Sequence, residues 1–447
     1  GIQACAERLL GYFQKIGCQE AYIVETPGMP AIWAKYDAGA PKTLAIYGYF
    51  DTNVLGPGWT VPPHEAVLGS YGDFDQVLFG RGASNKGGLV AFLNALESIK
   101  STGAELPVNL LFVVEGEEFL GSQNIPWLIE RFRSELSQAH ALLSPKPSQS
   151  ASGDISLYLG NKGCLHMELA CTGDNWGKGP IGGAVHSSLQ CVLDSPVWRL
   201  VQALSSLYDA DTNRVLVENF YDGLLTSTDE EEVLLSLLAE RYRGQETAAL
   251  PGIANPNRIA RFTDDLSGVD LFRQYCFEPT MNINGIRAGY TGPGTLLWTL
   301  PTAAYATVDI RLPAALDPHD IQAKIRRHLD ERGYTDITIE PLEASMGDNP
   351  LRIQDDAFQA AMRVFQLWNL EPVIWPRRGA GGPTGFFSRM LDLKILNSTG
   401  IGYASGHSDA NEYLVIQGND RVGGLMQLEQ SLADLLFSFA HYPDPFV

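Results

Sequence analysis

Cysteine is scarce, with six residues in 447 and no C-x-x-C spacing. That excludes a thiol redox motif, a structural zinc knuckle and a disulfide-stapled scaffold. The simplest reading is buried, reduced thiols in a cytoplasmic protein. Long apolar runs are missing too: no stretch of about 18 apolar residues exists, so no transmembrane helix is expected. The opening GIQACAERLLGYFQKIG has no basic leader, continuous apolar stretch or small-residue cleavage site, so it is not read as a signal peptide. Basic residues are outnumbered 32 to 52, giving a net charge of −20. Nucleic acid and an anionic membrane are therefore not expected as partners. The acidic residues are dispersed, as on a soluble, self-repelling surface. No internal repeat or low-complexity segment is present.

What is there is a long chain that is 45% hydrophobic, enough for two cores. Its first segment reads as an amphipathic helix, with Leu9, Leu10, Phe13 and Ile16 on one stripe and Gly17 as the stop. TLAIYGYF (43–50), VNLLFVV (108–114) and AHALLS (139–144) are buried-strand runs, and 87–100 has helical spacing. Strands alternating with helices predict an α/β fold with a mostly parallel sheet covered on both faces. Such sheets bind ligands beyond the carboxyl ends of their strands, where YGYFD and VVEGEEF fall.

Near residue 163 the pattern changes. CLHMELAC (164–171) and AYATVDIRL (304–312) alternate as half-buried strands do. Helices are expected from about Val197, after a Thr228–Glu231 capping box, and over 321–333. After about residue 348 the first style returns, with a helix (356–368), a Gly-rich loop (379–385), a strand (393–396) and a final helix (425–440). The economical model is a catalytic-type α/β domain made from 1–162 and 348–447, interrupted by an α+β lid at 163–347.

Seven stretches, in order, resemble the carnosinase and cytosolic nonspecific dipeptidase branch of the dinuclear-zinc aminoacylase and carboxypeptidase superfamily. They are YGYFD (47–51), GRGASNKGG (80–88), VEGEEFLGS (114–122), AVHSSLQ (184–190), NINGIRAGYTGPGT (282–295), ATVDIRLP (306–313) and GIGYASGHSDANEYL (400–414). The resemblance implies two zinc ions about 3.5–4 Å apart clamping a water, and a Glu general base. It also implies a lid His and an Arg for the substrate, and a homodimer formed through the lid.

Position by position, the metal ligands are replaced. The zinc-binding His of a motif similar to Y-G-H-x-D is Tyr49, while the supporting acid survives as Asp51. The bridging Asp of R-G-A-S-D-D-K-G is Asn85, in a stretch one residue shorter. In E-G-E-E-E-x-G-S, keeping Gly121 and Ser122 in register puts the base at Glu118 and a ligand at Phe119; a slip of one would make Glu117 the base. The Asp of I-S-D is Pro145. The final motif carries an extra residue around His407. Phe119 and Pro145 offer no side-chain donor, and an amide cannot supply two anionic bridging oxygens. The expectation is that zinc does not bind and that no cofactor is used.

The parts implied to handle substrate survive. His186 matches the His that polarises the scissile carbonyl; the plain alternative is a surface loop His. Arg311 matches the Arg that pairs with a substrate carboxylate; the plain alternative is a half-exposed strand Arg. Asn284 and the 289–294 turn match lid elements. Gly381 and Gly382 could offer N–H groups to an anion. Tyr49, Asn85 and His407 would line the substrate site. Asp51 is either freed for proton transfer or bonded to Tyr49 or Asn85. His64 reads as a loop residue.

Three functions fit these residues. One is a metal-independent enzyme acting on a small amide, peptide-like or acyl-amino-acid substrate with a carboxylate, by cyclisation, amide formation or transfer, elimination or isomerisation, with Glu118 as acid–base. Another is a zinc dipeptidase with displaced ligands. The last is an inactive homologue that binds a ligand.

Overall fold

The computed structural model describes residues 1–251, 259–294, 297–407 and 409–444. Thr295 and Ser408, which belong to two of the motif stretches, lie outside the described residues.

The apolar runs at 43–50, 108–114 and 139–144 become Thr43–Tyr49, Asn109–Glu115 and Ala141–Ser144. They form the centre of a six-stranded sheet with Glu20–Val24, Ala31–Tyr36 and Ile395–Asn397. The four strands from Asn109–Glu115 to Ile395–Asn397 are parallel, and the two at the other edge are antiparallel. Helices Ile2–Ile16, Ala83–Ser101, Asp356–Leu367 and Leu425–His441 bury Phe13, Phe92, Phe365 and Leu432 on one face. Ile125–Arg131 and Thr384–Leu391 cover the other face, around Trp33, Phe132 and Phe387. Burial on both faces explains why these strands read as unbroken apolar runs.

The alternating segments form a separate antiparallel sheet, ordered Thr280–Ala288, Ala303–Leu312, Gly163–Thr172, Thr338–Ser345. Ala303–Leu312 buries every second residue, and helices Pro196–Leu207 and Pro318–Glu331 cover that face. The capping box forms at Thr228 and Glu231. Its helix, Asp229–Arg241, and Gly268–Phe277 pack not on this sheet but around Trp375, and Glu231 pairs with Arg377 at 2.7 Å. This part of the insertion therefore leans on the strand Val373–Trp375.

The two chain crossings between the sheets run side by side. Asp348 N–H donates to the Asn161 carbonyl at 3.2 Å, and the two side chains also hydrogen bond. Glycine is required here. A Cβ on Gly381 would lie 1.7 Å from the Lys162 carbonyl oxygen, and one on Gly385 equally close to that of Met346. Gly381 thus answers a packing demand.

Candidate functional site

Three parallel strands deliver the site. Thr43–Tyr49 ends on Tyr49, with Asp51 just beyond; Asn109–Glu115 runs into Glu117, Glu118 and Phe119; Ala141–Ser144 runs into Pro145 and Lys146. Lys86 comes from the first turn of Ala83–Ser101, and His407 from the loop before Tyr413–Gln417.

The adjacent glutamates divide cleanly. Glu117 accepts from Met29 N–H at 3.0 Å and from the Asn124 backbone and side-chain N–H groups, both at 2.8 Å. It fastens the loop that carries Glu118. Glu118 is half-buried, and among the described residues its carboxylate has no hydrogen-bond donor. Burial pushes it up to about 7; the Lys146 charge opposes this and Asp51 adds to it.

Asp51 accepts the Phe119 N–H at 2.8 Å on one oxygen, while its other oxygen is buried without a partner among the described residues. Neither Tyr49 nor Asn85, the two partners the sequence offered, bonds to it, because the backbone after Glu118 takes it. Burial raises its pKa. The Tyr49 hydroxyl is also buried and has no partner among the described residues.

The aromatic side chains pack together. Phe119 meets Tyr49 edge to face at 5.9 Å and lies over His407 at 5.9 Å and 30°. His407 Nδ1 hydrogen bonds with the Asn85 side-chain oxygen. Burial, then Lys146, hold its pKa below the ordinary imidazole value.

Sequence reasoning missed the cations. Lys86 Nζ lies 5.2 Å from the centre of the Tyr49 ring and Lys146 Nζ 5.3 Å from it. Lys86 donates to the Asp51 carbonyl at 2.5 Å. Burial lowers the Lys146 ammonium to about 8, against the pull of Glu118, and lowers Lys86 as well. Arg378, just after Val373–Trp375, adds to the depression of Lys146 and His407. The signal was in view: each lysine directly follows a replaced ligand, Asn85 or Pro145.

The remaining predicted residues stand apart from this cluster in their contacts. His186 is exposed and bonds with Ser188 in its own loop at 2.8 Å. Arg311 pairs with Asp309, two residues along its strand, at 3.1 Å. Asn284 approaches His166 at 3.4 Å, and His166 lines a cleft of about 710 Å³ shared by Phe119, Gly121, Leu342 and Glu343. A Cβ on Gly382 would meet open space.

A zinc pair needs several carboxylate or imidazole donors converging. Among the described residues no three His, Cys, Asp or Glu side chains do so. Glu412, in the last motif, is committed to Arg81 at 3.1 Å, to Gly82 and Ser84 N–H and to the Ser84 hydroxyl. Tyr49, Asn85, Phe119 and Pro145 do not fit the zinc pair the resemblance implies, and no chemical step is derived through a metal.

Comparison with known proteins adds what the donor set does not. The human Beta-Ala-His dipeptidase is 27% identical over 362 residues, covering 77% of this chain and 66% of that enzyme. This chain thus matches just under two thirds of that relative's length. The Cys-Gly metallodipeptidase DUG1 of Candida albicans is 24% identical over 420 residues, covering 87% and 78%. The M20 family metallo-carboxypeptidase Sso-CP2 from Sulfolobus solfataricus superposes with a TM-score of 0.81 at 26% identity, covering 98% and 94% of the two chains. Two of these three relatives are named as metalloenzymes, which overturns the expectation that no cofactor is used. The model of "Peptidase family M20/M25/M40" matches residues 50–421, and the chain belongs to that family.

Proposed function

We propose that the chain is an enzyme that hydrolyses the amide bond of a small dipeptide or acyl amino acid bearing a free carboxylate, with Glu118 as general base. One observation carries this reading: Glu118 is a carboxyl held near neutrality at a strand end, free of any protein donor among the described residues, beside the cleft at Phe119. A base so poised suits proton transfer near pH 7. Its carboxylate takes a proton from water, the water oxygen bonds to the amide carbon, and the C=O electrons move onto oxygen. Glu118 then returns the proton to the leaving nitrogen as the C–N bond breaks.

The relatives' names supply the test panel, β-alanyl-histidine and cysteinyl-glycine among other dipeptides. Wild-type protein releases free amino acids from a member of it, and Glu118→Gln loses about 10²–10⁴-fold in rate. Unchanged turnover in that variant would remove Glu118 from the mechanism. Cyclisation, amide transfer, elimination and isomerisation draw no support from a named relative.

A second reading, a metallodipeptidase with displaced ligands, draws support from the names of the metalloenzyme relatives. Elemental analysis of gently purified protein decides it: about two zinc ions per chain support it, and a metal-free, active protein ends it.

In this reading the lid is the 163–347 insertion. His186 and Asn284, both exposed on it, act on the site of a partner subunit in a homodimer. Arg311 holds the substrate carboxylate. A cytoplasmic setting is supported by six cysteines that are all unpaired. No helix among the described residues is long and apolar enough to cross a membrane.

A further inference from the structure

Gathering cations in a half-buried site is costly unless an anion answers them. Lys86, Lys146 and Arg378 bear on the space around Tyr49. Lys86 uses one proton on the Asp51 carbonyl. Lys146 Nζ has no hydrogen-bond acceptor among the described residues. The acidic groups acting on the two ammoniums are chiefly Asp51, Glu118 and Glu412, and Glu412 is already held by Arg81, Gly82 and Ser84.

Orphaned polar atoms gather in the same place. The Tyr49 hydroxyl and one Asp51 oxygen are buried with no hydrogen-bond partner among the described residues, and so is Nε of Arg378, whose charge reaches Tyr49. Buried polar atoms are normally satisfied, so several orphans around one ring mark a place where a ligand supplies the partners.

We propose that Lys86 and Lys146, held over the Tyr49 ring, form an anion-receiving pair that binds an anionic oxygen of the ligand, with Arg378 as the third cation. The identity of that oxygen rests on the hydrolase reading: it is the scissile carbonyl oxygen as it gains charge when Glu118 activates water. Preformed positive charge aimed at such an oxygen in a drier site is an effective way to lower the barrier. Tyr49 is a positioning residue, its ring face drawing both ammoniums inward. A substrate carboxylate offers similar chemistry, so two probes separate the sources. Phosphate is tetrahedral, like the reacting centre, and acetate is planar.

The test is isothermal titration of the full chain at neutral pH and low salt with inorganic phosphate and, separately, acetate. One phosphate binds per chain, more tightly than acetate. Lys146→Met and Lys86→Met each weaken it at least about tenfold, Lys146→Arg restores most of the loss, and Tyr49→Leu, which removes ring and hydroxyl together, weakens it more than Tyr49→Phe, which removes the hydroxyl alone. A wild-type protein that binds no phosphate, or a Lys146→Met protein that binds it equally well, overturns the proposal. Acetate binding more tightly than phosphate overturns the oxyanion assignment. Where a lysine variant fails to fold, reductive methylation of wild-type protein replaces it: phosphate must shield Lys146 in the mass spectrum, and unshielded Lys146 sinks the idea. Glu118→Gln separates the two readings, because it keeps phosphate binding while losing turnover. Turnover lost with phosphate bound leaves the pair standing, and turnover intact in Lys146→Met removes it.

Discussion

Replacing Glu118 with glutamine should make the protein more stable at alkaline pH while disabling it. The unfolded chain ionises this carboxyl near its ordinary 4.5, whereas the folded chain holds it to about 7. The folded state therefore binds the proton more tightly, and stability falls as pH rises through that window. Lifting a carboxyl that far costs the ionised folded form about 3 kcal/mol. Some of the loss is already present at about pH 5, which leaves about 2.5 kcal/mol between about pH 5 and about pH 8. Solvent at the rim of the half-buried side chain trims this to about 2 kcal/mol. Glutamine cannot ionise, so that slope disappears. The assay is urea unfolding at both pH values, followed by tryptophan fluorescence, since Trp33 and Trp375 are fully buried. Wild type should lose about 2 kcal/mol more than the variant between the two pH values. Parallel pH dependences within about 0.5 kcal/mol would mean that Glu118 is solvated and not raised.

Three further outcomes follow from the same site and its supports. The pH–rate profile should be a narrow bell, rising near 7 as Glu118 loses its proton and falling near 8 as Lys146 loses its own; a flat profile from 6 to 9 would contradict both assignments. Tyr49→Phe removes an orphaned buried hydroxyl and keeps the ring under the ammoniums, so unfolding free energy should rise by about 1 kcal/mol; a loss of that size would show that the hydroxyl has a partner. Glu412→Ala strips Arg81 of a fully buried counter-charge and should cost about 3–5 kcal/mol in a denaturant melt, with under 1 kcal/mol placing the pair at the surface.

Much of the frame could be read from the residues because burial writes itself into the pattern. Thr43–Tyr49 and Asn109–Glu115 are covered on both faces and left apolar runs, while Ala303–Leu312 is covered on one and left an alternation. Strand ends then placed Tyr49, Asp51, Glu118 and Pro145 together. Glu117 and Glu118 could not be told apart, because neighbouring residues differ only in which way the loop turns, and that depends on Met29 and Asn124. Lys86 and Lys146 were passed over because a loop or helix-start lysine normally faces water. Their half-burial comes from strands and loops that no local window contains. Glu412 kept its motif position yet holds Arg81, 331 residues away, so its structural use left no local trace. Arg378 lay just outside the Gly-rich loop that drew attention.

The side-by-side crossing at Asn161 and Asp348 also bears on how the chain reaches this state. The strand Ile395–Asn397 must pair with Ala141–Ser144 across the whole insertion. Closing a flexible loop of about 250 residues costs about 4.9 kcal/mol of chain entropy plus a constant. If residues 163–347 fold first, the chain on either side is brought within one hydrogen bond, Asp348 N–H to the Asn161 carbonyl at 3.2 Å, and most of that search is removed. Folding of 163–347 ahead of the rest would then bring the late strand Ile395–Asn397 toward its partner Ala141–Ser144, about 250 residues earlier in the chain. Mutations in the core around Leu165 and Ile310 would then slow formation of the six-stranded sheet, which those residues do not belong to.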